Sequence, residues 1–207
     1  MNDSNHSFRQ IERSVENVFE TVLQRVNPAI KVQHKKLDTG VKILDKFESL
    51  KVYEKLYVHK VTEFITPGKT FLILLIEKHS KIIRQGRSIH HRRVVEIEEV
   101  EPVLVFKLPK DIGKVYMKPE TLGDKIADLV NRMDIDFKEF PRFSSNYYLV
   151  GEKPALIHQE FPRSILSTLD NIKGLTIEVT GKLGLLRNEK NLSEKNLAEL
   201  INIGYAL

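Results

Sequence analysis

The sequence contains no cysteine. Disulfide frameworks, thiolate metal sites and cysteine nucleophiles are therefore excluded, and the chain is compatible with the cytoplasm, where it is expected. Long apolar runs are also missing. The longest, Phe71–Ile76, is six residues, far short of the ~20 that a membrane-spanning helix needs, and it reads as a buried strand. The first ten residues, MNDSNHSFRQ, lack the charged start and apolar run of a secretory signal. A third absence is local: residues 78–93, KHSKIIRQGRSIHHRR, hold no Asp or Glu.

That acid-free stretch carries six Lys/Arg (Lys78, Lys81, Arg84, Arg87, Arg92 and Arg93) and three histidines. The whole chain of 207 residues is +5, so the rest sums to −1. The basic balance is thus confined to one segment, which makes it a candidate anion site rather than a general property of the surface. Four glutamates follow at once, at 96, 98, 99 and 101. If the segment turns near Arg87, Lys78 falls opposite Glu96. Cross-strand pairs of that kind neutralise the base of the hairpin and leave Arg84, Arg87, His90, Arg92 and Arg93 at its tip.

Periodicity places the elements. Phe8, Ile11, Val15, Val18, Phe19, Val22, Leu23 and Val26 form one apolar stripe at helical spacing, opened by a Ser7/Gln10 capping box and ended by Asn27-Pro28. Residues 29–37 alternate as a strand, Asp38-Thr39-Gly40 reads as a turn, and 41–66 lean towards strand. Pro67-Gly68 turns the chain into two long strands, Phe71–Ile83 and Arg92–Leu108, around the basic segment. Lys114–Met117 is a short strand. A second helix opens at Pro119 with Leu122, Ile126, Leu129, Val130 and Met133 on one face. Beyond it come a strand at Tyr147–Val150, a helix over 162–172, a hairpin of Leu175–Thr180 and Leu183–Arg187 across Gly181, and a last helix capped by Ser193. The expected fold is α+β: an antiparallel sheet with a basic β-hairpin and helices at the N-terminus, middle and C-terminus. It forms a single domain over 1–207, divisible into 1–118 and 119–207.

The usual catalytic patterns fail on inspection. His90 and His91 are adjacent, so on a strand they diverge, and the surrounding arginines repel a cation. His158-Gln159-Glu160 has the His-x-Glu of zinc deaminases without the cysteine ligands, and reads as a surface histidine at a helix entry. Thr180-Gly181-Lys182 lacks both the spacing and the Ser/Thr of a phosphate loop. No metal, cofactor or catalytic residue is expected.

The string FKEFPRFSSNYYLVGE, residues 137–152, holds five of the sixteen aromatics. It resembles the core motif of a bacterial family of uncharacterised proteins, in which phenylalanine-serine, tyrosine, leucine and glycine at this spacing precede a short helix and a terminal hairpin. The segment with Gly86-Arg87, His91-Arg92 and Val94-Val95 is similar to a basic hairpin of those relatives. The resemblance covers residues 70–207 and implies no activity. Read physically, Phe140, Phe143 and Tyr148 are core candidates, Ser144 or Ser145 bonds local backbone, and Gly151 suits an unusual backbone angle at a strand end. The sharper reading of these aromatics is a platform for stacking bases.

Together these features point to a soluble, non-enzymatic binding or scaffold domain acting through the basic hairpin, on an acidic protein or a phosphate-bearing ligand. The alternatives are a nucleic-acid-binding protein and an enzyme of unrecognised type.

Overall fold

A computed structural model describes residues 15–26, 30–85, 92–119 and 134–207, with the backbone alone at 82–85 and 92–94. The Ser7/Gln10 capping box, Asn27-Pro28, the hairpin tip at 86–91 and the expected helix after Pro119 lie outside the described residues. Among those described, eight strands form one antiparallel sheet: β1 (Lys31–His34), β2 (Lys55–Thr66), β3 (Lys69–Gln85), β4 (Arg92–Lys107), β5 (Lys114–Pro119), β6 (Tyr147–Gly151), β7 (Thr176–Thr180) and β8 (Leu183–Arg187). Their order is β1-β2-β3-β4-β8-β7-β5-β6. The helices are α1 (residues 15–23), α2 (Leu37–Leu44), α3 (Pro141–Asn146), α4 (Pro154–Glu160), α5 (Arg163–Leu169) and α6 (Glu194–Ala206). The fold is α+β with an antiparallel sheet, as the sequence predicts.

The first four strands are a meander, and two glycine turns mark hairpins of the sheet. Pro67-Gly68 links β2 to β3, with Gly68 at φ 81°, and Gly181 sits at φ 65° between β7 and β8. Both positions need a backbone conformation that a side chain strains. The terminal hairpin then inserts between β4 and β5: β8 pairs with β4 from Val103↔Arg187 to Lys107↔Leu183, and β7 pairs with β5. A cut at 118/119 falls inside β5, which pairs with both β6 and β7.

The sheet is covered on both faces. One face carries the larger core, where α1 contributes Val15, Phe19 and Val22, and α6 contributes Leu197, Leu200, Ile201 and Ile203. Strand residues Phe64, Phe71, Ile73, Leu75, Leu104 and Ile177 meet them. The other face is closed by α2 and the 3-10 turn Glu48–Leu50, with Leu44, Phe47 and Leu50 on Val61, Leu74, Ile76, Val103, Val105 and Leu185. Burial on both sides explains why β3 reads as a continuous apolar run and not as an alternation.

Several local expectations are corrected. Asp38-Thr39-Gly40 is not a turn but part of α2, with Asp38 in the first turn and Lys42 in the last, both favourable to the helix dipole. Gly40 is there for space: a Cβ would stand 2.6 Å from Val61 Cγ2 and 3.1 Å from Leu74 Cδ2. Gly151 is likewise a packing glycine, its missing Cβ lying 2.2 Å from Ile157 Cδ1, and its φ is not positive. The short helices α3 and α4 begin at prolines on either side of the expected strand, where no helix was expected. His158 is exposed in the last turn of α4, not at a helix entry, and stacks on Phe137 at 5.0 Å. Ser193 does cap α6, its hydroxyl accepting from Asn196 N at 3.2 Å.

The aromatic string is core. Phe137, Phe143 and Tyr147 are fully buried, with Phe143 5.9 Å from Phe137 and 5.4 Å from Tyr147 between ring centres. Phe140 and Tyr148 are only half-buried. The buried members are thus partly different from those expected, with Phe137 and Tyr147 in place of Phe140 and Tyr148. The Ser144 hydroxyl accepts from Phe137 N at 2.9 Å, and Asp170 accepts from Phe143 N at 2.7 Å. Tyr147 donates to Ile172 O at 2.6 Å, and its burial pushes the phenol up to about 12.

Candidate binding site

β3 and β4 pair without a bulge from Phe71↔Phe106 to Gln85↔Arg92. Their flanking support ends much earlier. β2 reaches β3 only as far as Lys55↔His79, and β8 reaches β4 only at Val103. Among the described residues, then, 80–85 and 92–99 form a ribbon of two strands. At ~3.3 Å per residue its 80–85 strand is roughly 20 Å long.

The register corrects one expectation. Gln85↔Arg92 leaves residues 86–91 between the strands, so the pairing is offset from a turn centred on Arg87. Lys78 opposes Glu99, and it is Lys81 that opposes Glu96. Neutralisation of the stem holds nonetheless: Lys78 lies 3.2 Å from Glu99, His79 3.7 Å from Glu98, and Lys81 3.8 Å from Glu96 and 2.8 Å from Glu54. Glu54 holds the Lys81 ammonium above the ordinary lysine range.

Beyond Lys81↔Glu96 the sequence of the ribbon, residues 82–95, contains no further acid. The register sets Arg84 opposite Arg93 and Arg92 opposite Gln85. Like charges directly opposite each other destabilise a strand pair, which an anion would relieve. Arg87 and His90 lie outside the described residues. The structure therefore brings Arg84 and Arg93 together in register and leaves Arg87 and His90 unplaced.

The ribbon leaves the sheet between two polar clusters, one on each face, built from the consecutive residues Glu77, Lys78 and His79. On the α2 side the Glu101 carboxylate, fully buried, accepts from Lys78 Nζ at 2.7 Å and Arg187 Nε at 2.6 Å. Arg187 also donates to the Tyr53 hydroxyl at 2.9 Å, and both cations lie over the Tyr53 ring. Burial pulls the Lys78 and Arg187 cations down, but the Glu101 charge and hydrogen bonds outweigh it, and both end above their ordinary values. On the opposite face Glu77 is buried between two histidines. One carboxylate oxygen bonds His59 Nε2 at 2.6 Å and the other bonds His79 Nε2. Nearby on the α2 side, Glu178 accepts from Glu48 N at 2.7 Å and Ser49 N at 3.0 Å, fastening the 3-10 turn to β7.

Sequence reasoning missed Glu77, Glu101, Glu178 and Arg187. The available signal was a lone charge inside an otherwise apolar strand, as in TIEVT and LGLLR. Such a charge, once both faces are covered, must find a partner. Glu101 was instead read with its exposed neighbours as part of a charge run. Among the described residues no group of three or more His, Asp or Glu is arranged to hold a metal ion, and no helix is long and apolar enough to cross a membrane. Compared with known proteins, the chain matches no family model, no curated protein and no solved structure.

Proposed function

We propose that this protein is a cytoplasmic, non-enzymatic binding or scaffold domain whose working part is the tip of the β3–β4 ribbon. Arg84, Arg87, His90, Arg92 and Arg93 form its contact for an anionic partner, an acidic protein or a phosphate-bearing ligand. The observation that carries this reading is the segregation of charge along the ribbon. Lys78 and Lys81 are matched by Glu99, Glu101, Glu54 and Glu96, whereas residues 82–95 contain four arginines and no acid. A neutralised stem whose end carries arginines and no acid in its sequence is suited to electrostatic capture. Kinship with the bacterial family suggested by FKEFPRFSSNYYLVGE fits this reading without adding an activity to it.

Nucleic acid is the second reading, favoured by shape: a two-stranded ribbon is one of the elements that the major groove of DNA admits. It requires affinity that falls steeply with salt as phosphate contacts release counterions.

The test is calorimetric titration with inorganic polyphosphate, poly-glutamate and mixed-sequence DNA and RNA. Wild type is expected to bind at least one probe, and the variant with Arg84, Arg87, Arg92 and Arg93 all changed to Glu is expected to lose it. Wild type that binds none, or a variant that binds as well, overturns the reading.

A further inference from the structure

The ribbon has a second property, at the outer edge of β4. Between Arg92 and Glu99 no strand among those described pairs with the outer edge of β4. The limit at the far end is set by Leu192, whose N–H donates to Val100 O at 2.6 Å. That bond shows which way the backbone faces. The register of β4 is unbroken, so the groups of residues 92, 94, 96 and 98 point to the same side as those of Val100. Among the described residues an edge of eight, 92–99, is therefore left unpaired. It is unusually long to be left so, because a two-stranded ribbon is marginal alone and an open edge invites another strand.

Its sequence, RRVVEIEE, is basic at the start, apolar in the middle and acidic at the end. An antiparallel strand with the same sequence is its electrostatic complement. We propose that the open edge of β4 pairs with β4 of a second copy of this chain, giving a symmetric dimer in which the two sheets join across a four-stranded ribbon. Two-fold symmetry requires one residue to face its own copy. Glu96 at that position opposes two carboxylates, and Ile97 sets Glu96 against Glu98. Val95 at the axis sets valine against valine and Arg92 against Glu98 of the second copy, twice. It also sets Arg93 diagonally from Glu99 and pairs residues 92–98 of the open edge. Glu98 and Glu99 remain exposed enough to take these partners, at 49% and 38% of the side chain. In the dimer Arg92 and Arg93 are engaged by the second copy, so Arg84, Arg87 and His90 remain for the tip ligand.

Sedimentation equilibrium over a concentration series tests this on the intact chain. Wild type is expected to pass from the 24.0 kDa monomer to a species of twice that mass. Arg92→Glu alone and Glu98→Arg alone should each raise the dimer dissociation constant more than tenfold, and the double swap should restore it to within a few fold. Arg87→Glu, which impairs tip binding, should leave association unchanged, so the two proposals fail separately. A chain that stays monomeric at its highest soluble concentration overturns the dimer. So does a dimer indifferent to both single swaps, or a double swap that fails to rescue.

Discussion

The residues that decide how this molecule is held together are charged ones in the wrong place. Glu101 is fully buried and serves two cations, Lys78 and Arg187. Removing one partner of such a group leaves uncompensated charge in the interior, at a cost of about 3–5 kcal/mol. Glu101→Gln is therefore expected to lower the unfolding free energy measured by urea titration by that amount, whereas Glu98→Gln, at a surface pair, should change it by less than ~1 kcal/mol. Tyrosine supplies a second residue-scale test. Burial raises Tyr147 and Tyr205 to about 12. A raised phenol contributes stability that is complete below the ordinary value near 10 and is lost as pH climbs through 12. The raised Lys78 acts in the same direction. Phenolate absorbance should show two tyrosines ionising about two units late, with unfolding in the same window. Two normal titrations would contradict the burial. Neither feature was legible in the sequence. The alternation of a strand tells which residues share a face, but only the α2 layer, brought from elsewhere in the chain, makes that face an interior.

At the scale of elements, the long strands, both glycine turns and the Ser193 cap could be read directly, because each depends on neighbours in sequence. The helices α2, α3 and α4 could not. α2 contains Gly40, which locally argues for a turn; what overrides it is the tertiary need for close approach to Val61 and Leu74. Helix propensity favours alanine there by about 1 kcal/mol, yet Gly40→Ala is expected to destabilise, since the Cβ has no room. The cleaner case is Gly184 in β8, where a Cβ would lie 2.3 Å from the Phe106 ring. Gly184→Ala should cost about 1–3 kcal/mol by overpacking, measured by thermal or urea unfolding, and pairing it with Phe106→Leu should recover part of the loss. If Gly184→Ala is neutral, the ring does not sit on that glycine.

For the whole molecule, the sheet order is the part that sequence could not supply. The hairpin β7–β8 closes the gap between β4 and β5, a pairing set by contacts 80 or so residues apart, as in Val103↔Arg187. The consequence is functional. With β8 stopping at β4 residue 103 and β2 stopping at β3 residue 79, the sheet supports the root of the ribbon and releases its end. The basic segment was legible from composition, and so was its neutralised base, though with Lys78 placed against the wrong glutamate. The central claim is that the charge which matters is local to the ribbon tip. It is tested most directly by comparing two variants of equal net charge for inorganic polyphosphate affinity at fixed salt. One reverses Arg84, Arg87, Arg92 and Arg93; the other reverses the exposed Lys42, Lys46, Lys182 and Lys195 on other elements. The tip variant is expected to lose affinity more than tenfold while the other stays within about threefold of wild type. Equal losses would mean that net charge, not the ribbon, does the binding.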